Sequence, residues 1–94
     1  MKTADLIGPA LDWAVASAEG VIYHGLAWSN YSTNWAQGGP IIEREEIDIQ
    51  CLHRKDGTKV WRTFHADGPT PLVAAMRCYV TSKLGDDVNV PEVL

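Results

Sequence analysis

The sequence predicts a small α+β domain: an antiparallel sheet centred on a β-hairpin over residues 47–66, packed by N-terminal, short middle and C-terminal helices. Three observations carry that expectation. Two β-type runs flank Asp56-Gly57, a pair favoured in tight hairpin turns. Thr70-Pro71 opens an apolar stripe at helical spacing, and Gly85 closes it. A second helical pattern fills the N-terminal twenty residues, so helices are available to cover the sheet. Ninety-four residues fit one domain, whose core is thin because a chain of this size buries roughly 60–65% of its unfolded surface.

Taken in order, Leu6, Ile7, Leu11, Ala14, Val15 and Ala18 recur at helical spacing behind Thr3, a capping residue type, and Gly20 offers a stop. The pattern predicts a helix over 3–19 that either kinks or effectively begins at Gly8-Pro9, where the proline cannot donate to the carbonyl of Asp5. "GVIYHG" reads as an extended segment over 21–26. In "YSTNWAQGGPIIERE", Ser32, Thr33 and Asn34 are capping types and Pro40 suits a first helical turn, which predicts a helix over 40–46 with the two glycines turning the chain beside Trp35.

The hairpin strands are expected at 47–55 and 58–66. A two-residue turn at Asp56-Gly57 sets Lys55 opposite Thr58, Leu52 opposite Trp61, Ile49 opposite Phe64 and Asp48 opposite His65. Ile47, Ile49, Cys51, Val60 and Phe64 then form the core face. The last helix is predicted at 71–84, with Leu72, Ala75, Met76, Tyr79, Val80 and Leu84 on its buried stripe. The acidic, proline-interrupted tail over 86–94 should lie extended on the surface.

A net charge of −4, from eight Lys and Arg against twelve Asp and Glu, argues against a whole-surface grip on nucleic acid or anionic lipid. No run of apolar residues approaches a membrane span, and polar and helix-breaking residues interrupt the N-terminus where a signal peptide would need its apolar stretch. The expected setting is the cytoplasm. Two cysteines, Cys51 and Cys78, are too few for a disulfide framework, so buried thiols are the simpler reading.

At "STNWAQGGPIIERE" and "GPTPLVAAMRCYVTSKLGDDV", and through "LDWAVASAEG", the sequence resembles the NinX-like family of small phage and prophage proteins. The resemblance implies a phage or prophage origin and expression in the bacterial host cytoplasm. It brings no residue role with it.

Two surfaces are candidates for binding. Trp28, Tyr31 and Trp35 cluster beside the double glycine and could stack a base or grip a peptide, although large rings are also how a thin domain fills its core. The hairpin carries His53, Arg54, Lys55, Lys59 and Arg62 around Trp61, the one basic and aromatic element of an acidic chain; such charges also discourage edge pairing. Cys51 and His53 make half a metal site at most, which His24, His65 or Cys78 would have to complete, and Glu43, Glu45 and Glu46 read as a solvated helix face. No pattern points to a cofactor, a metal or a catalytic set. The expectation is a non-catalytic accessory protein acting on a host or phage protein, with nucleic acid as the alternative partner through residues 53–62, a small enzyme as the third and least favoured reading, and no membrane role.

Overall fold

The computed structural model describes residues 1–20 and 30–91, so the extended segment predicted at 21–26 lies outside the described residues. A 3-10 turn (Thr3–Asp5) leads to α1 (Gly8–Ala18), α2 (Trp35–Arg44), β1 (Gln50–His53), β2 (Lys59–Arg62), β3 (Asp67–Gly68) and α3 (Pro71–Leu84). The three strands form one antiparallel sheet in the order β1-β2-β3, and with the helices this is an α+β fold.

The central element is α3. Thr70 caps it by accepting from the Val73 amide at 3.1 Å, Pro71 occupies the first turn, and Gly85 ends it at φ 90°. It packs against α1, α2, the 3-10 turn, β2 and β3, which explains why it is buried on more than one stripe: Leu72 through Met76 and Cys78 through Val80 are all buried. Leu84, predicted on the buried stripe, is 40% exposed on the final turn of α3. Leu11 and Val15 of α1, Ile41 of α2 and Leu6 complete the core around Met76 and Val80.

The N-terminal helix is shorter than the expected 3–19. Ile7 is fully extended (φ −151°, ψ 157°) and Gly8 adopts φ 59°, so the helix starts at the Gly8-Pro9 break instead of bending through it. Thr3 does not cap this helix. Its hydroxyl donates to the Gly85 carbonyl at 2.7 Å and its amide to that of Asp86 at 2.8 Å. Met1 and Val88 exchange bonds of 2.9 and 3.0 Å beside a Lys2–Asp87 bridge, so the tail is clasped against the N-terminal segment and Val88 is buried.

The middle helix begins earlier than the predicted 40, at Trp35, because Asn34 takes the cap by accepting from Ala36 N at 2.9 Å. Pro40 is therefore inside the helix, and the two glycines are helical residues rather than a turn. Gly38 has a packing reason: a Cβ there would stand 2.5 Å from both the Tyr31 carbonyl oxygen and Leu72 Cδ1. The absent side chain lets α2 press onto α3 and the Tyr31 backbone. Beyond Arg44, Glu46 turns left-handed at φ 53° and the Ile47 amide reaches back to the Ile42 carbonyl at 3.1 Å, a helix stop usually made with glycine.

The hairpin departs most from expectation. Cys51 pairs with Trp61, Leu52 with Val60, His53 with Lys59 and Gln50 with Arg62, a register one residue away from the predicted one. The loop has three residues: Gly57 N donates to the Arg54 carbonyl at 3.1 Å, Arg54 N donates to that of Thr58 at 2.8 Å, and Gly57 is left-handed at φ 89°. Asp56 stabilises this longer loop through the Thr58 amide at 3.0 Å and hydroxyl at 2.7 Å. The one-residue slip moves Val60 to the face opposite Cys51.

The second strand also stops at Arg62 instead of running to 66, since Thr63 and Ala66 close a tight turn through Thr63 N to Ala66 O at 2.8 Å and Ala66 N to Thr63 Oγ1 at 3.1 Å. Phe64, predicted in the core opposite Ile49, is left at the tip of that turn and is 90% exposed. The returning strand β3 lies tight on α3, where a Cβ on Gly68 would stand 2.7 Å from the Ala74 amide nitrogen.

Candidate functional site

Two concave surfaces meet the requirements of a binding site. The first is a cleft of about 400 Å³ walled by Ile7, Trp35, Pro69, Pro71, Leu72 and Val73. Each wall has a local cause. Trp35 occupies the first position of α2 and its ring is directed away from the core by the Asn34 cap, leaving it 54% exposed. Ile7 is 55% exposed because the extended residue before Gly8 lies outside both helical segments. Pro69 and Pro71 flank the cap of α3. Among the described residues the lining has the hydroxyl side chains Ser32, Thr33 and Thr70 and the Trp35 indole as its polar groups, and no charged residue.

This cleft is anchored from below. The buried Asp12 carboxylate of α1 accepts from the Ser32 amide at 2.8 Å, which fixes the loop ahead of α2. The Ser32 hydroxyl is buried and has no hydrogen-bond partner among the described residues.

The second surface is a groove of about 640 Å³ between the hairpin, the Thr63–Ala66 turn and α3, lined among others by Arg54, Lys59, Arg62, Phe64, Asp67 and Arg77. Arg62 is committed to Asp67 at 3.1 and 3.4 Å, and that carboxylate holds its guanidinium pKa above the usual value. Arg77 donates to the carbonyls of Leu6 at 2.7 Å and Asp67 at 2.8 Å; burial pushes its pKa down. Arg54 and Lys59 have no ion-pair partner among the described residues.

Of the middle carboxylates, Glu45 is engaged, in a network that also takes in Glu19 at the end of α1. Arg44 grips Glu19 through two bonds of 3.1 and 2.8 Å and Glu45 through one of 2.9 Å, and Lys83 reaches Glu45 at 3.4 Å. The Tyr79 hydroxyl donates to Glu19, and the Arg44 guanidinium stands 5.6 Å from the centre of the Tyr79 ring. Arg44 holds the Glu19 carboxyl below its ordinary value, while burial, reinforced by the bond to Glu19, raises the Tyr79 hydroxyl to about 12. The set ties the C-terminal ends of α1, α2 and α3 together.

Of the residues expected at an interaction surface, the structure sets Trp35 on the apolar cleft and Lys59 and Arg62 on the basic groove. Tyr31 packs half-buried against the core, with its carbonyl against Gly38. Trp61 is half-buried opposite Cys51 within the sheet. Trp28 and His24 lie outside the described residues. Cys51 Sγ and His53 Nε2 are 4.0 Å apart, and among the described residues no three His, Cys, Asp or Glu side chains come together as a metal site would need. Ile7, Pro69, Phe64 and Arg77 were missed as surface residues; the Gly8-Pro9 break and the Pro69-Thr70-Pro71 run were the available signals for two of them.

A family model described as bacteriophage P22 NinX matches residues 25–83, well over half of the 94-residue chain. The chain belongs to this phage NinX family. The matched segment takes in α2, the whole sheet and α3 up to its penultimate residue, hence both the Trp35 wall and the basic hairpin; α1 precedes it. Among curated proteins, none matches the chain. Membership makes this a phage accessory protein. No helix among the described residues is long and apolar enough to cross a membrane.

Proposed function

We propose that this NinX-family protein works by binding, without catalysis, an apolar segment of a host or phage protein in the Trp35 cleft, in the cytoplasm of the infected bacterium. The supporting observation is an exposed tryptophan on a concave, uncharged wall: Trp35 at 54% and Ile7 at 55% exposure face a space of about 400 Å³ bounded by prolines and aliphatic side chains. Tryptophan at the centre of an apolar pocket is a typical binding hot spot, and a cavity of this size accepts two or three side chains. Because no charged residue among those described borders the cleft, its occupant is held by apolar burial and the complex should be insensitive to salt.

The test is capture from phage-infected host cells on immobilised protein, washed at low and at high salt, with Trp35→Ala alongside the parent. The expected result is a partner retained through the high-salt wash, and lost by Trp35→Ala at unchanged circular dichroism and melting, since such an anchor contributes at least about 2 kcal/mol. A partner released by salt, or held equally by Trp35→Ala, contradicts the reading. Sedimentation of the purified protein is run in parallel: a dimer that Trp35→Ala dissociates would give the cleft to a second copy of the chain instead.

A further inference from the structure

We propose that the groove between the hairpin, the Thr63–Ala66 turn and α3 binds single-stranded nucleic acid, with phosphates on Arg54 and Lys59 and an unpaired base on Phe64. This does not rest on the Trp35 cleft, which has different walls. Two independent features converge on the groove. Four cations, Arg54, Lys59, Arg62 and Arg77, line it against one carboxylate, Asp67, in a chain whose net charge is −4. On the same lining stands Phe64, a ring 90% exposed to water.

Neither feature is explained by the fold. Arg62 and Arg77 hold Asp67 and backbone carbonyls, but Arg54 and Lys59 make no ion pair among the described residues. Full burial of a phenylalanine would stabilise the protein by about 1.5–3 kcal/mol, and Phe64 contributes none of it. Its ring is nevertheless oriented: the His65 ring meets it edge-on, centroids 4.8 Å apart at 86°. An aromatic held at a tight turn with a face open to solvent is a stacking platform for a base.

The spacing selects the ligand. In the observed register Arg54, Val60 and Arg62 share one face, because position 54 stands opposite 58, whereas Lys59 leaves the strand on the other face and lines the groove only at its edge beside the loop. Arg54 stands at the loop end of the sheet and Phe64 lies beyond Arg62 at the other, so at least four strand residues, about 13 Å, separate the free cation from the ring, more than one phosphate group can span. Cations strung along an apolar floor with a ring at one end suit an extended polyanion carrying aromatic faces. Duplex DNA hides its base faces in the stack, so an exposed ring gains nothing from it. The acidic remainder of the protein repels phosphate at long range, so the affinity is modest and strongly dependent on salt.

The experiment is fluorescence anisotropy with labelled oligothymidylate and oligouridylate of about 12 nucleotides, and a duplex of equal length, between about 50 and 200 mM salt. Two phosphate contacts predict a log–log salt slope of about −1.4 on single strands, so affinity falls about sevenfold across that range. Phe64→Ala should weaken single-strand binding about tenfold without changing the slope. Arg54→Ala with Lys59→Ala should bring the slope close to zero, and Trp35→Ala should change neither quantity. Phe64 and the two cations are exposed, so these variants are expected to keep the parent's circular dichroism and melting temperature. A preference between the two oligonucleotides tells DNA from RNA. The proposal is overturned by the absence of salt-dependent single-strand binding at about 50 mM salt, by tighter binding of the duplex, or by Phe64→Ala binding as the parent does. It is equally overturned if a phosphopeptide of equal charge displaces the oligonucleotide at equal concentration, which would make the ligand a phosphorylated protein.

Discussion

Along α3, Leu72 through Met76 and Cys78 through Val80 are buried, whereas the paired residues of β1 and β2 reach only half-burial on either face and none joins the buried core cluster. The two regions have different roles in the same small domain. Three helices supply almost all of the apolar burial, so stability is concentrated where α1 and α2 meet α3. The hairpin is attached to that body mainly through β3, whose Gly68 lies against α3, and its strands can carry surface chemistry without being needed to fill the core. Both proposed binding surfaces follow from this division: the Trp35 cleft opens where the helices leave apolar side chains uncovered, and the basic groove opens where the hairpin leaves the body.

The largest effect that could break the contrast is in the core. Met76 is fully buried, so Met76→Ala should lower unfolding free energy by about 2–4 kcal/mol in a denaturant titration. Phe64→Ala, in the hairpin region, should stay within about 0.5 kcal/mol of the parent because its ring is 90% exposed. Comparable losses from the two would mean that the hairpin is part of the core.

A sharper version uses the two glycines of α2. Gly38→Ala should destabilise by about 1–3 kcal/mol, because its Cβ would stand 2.5 Å from the Tyr31 carbonyl oxygen, a backbone atom that cannot move aside by rotation. At Gly39 the nearest neighbour of a Cβ is the Trp35 ring at 3.9 Å, so Gly39→Ala should instead gain up to about 1 kcal/mol from helix propensity. Opposite signs at neighbouring positions in thermal melts are the expected outcome. Equal signs would remove the close approach of α2 to α3 from the account.

The network at the helix ends is partly open to solvent, so its effect is the smallest, and it sets the pH limits. Glu19 is held below its ordinary pKa of 4.5 by Arg44, so its share of stability is present above that value and is lost as pH falls through the folded pKa. Tyr79 is raised from 10.0 to about 12; its share is complete below 10 and is lost as pH rises between those values. Melting temperatures followed across pH should therefore decline at both ends, and Arg44→Gln should flatten the acid limb. An acid limb untouched by that change would remove the Arg44–Glu19 clamp from the account.

How much of this was legible in sequence also divides between the two regions. Over α3 the local signals agree with the tertiary environment: Thr70, Pro71 and Gly85 act as cap, first turn and stop, and the helix spans the predicted 71–84. The middle helix was recognisable but displaced, because Asn34 and Pro40 are both starting signals and only packing onto Leu72 decides in favour of Asn34. In the hairpin, Asp56-Gly57 fits a two-residue turn and a three-residue loop equally well. The choice was made by the Asp56–Thr58 bonds, and no buried face was present to penalise the slip. Trp35 could be singled out as a candidate from its residue type alone. Ile7 and Phe64 could not, since periodicity says which residues share a face and not which faces are left uncovered.

Native-state hydrogen exchange tests the division between helical body and hairpin most directly. The amides of Ala75 to Val80 should exchange only through global unfolding, with rates that rise steeply with denaturant. Those of Leu52, Val60 and Trp61 should exchange through local opening at clearly lower free energy and with little denaturant dependence. Hairpin amides that share the free energy and denaturant slope of α3 would contradict the account, because the hairpin would then unfold only together with the core.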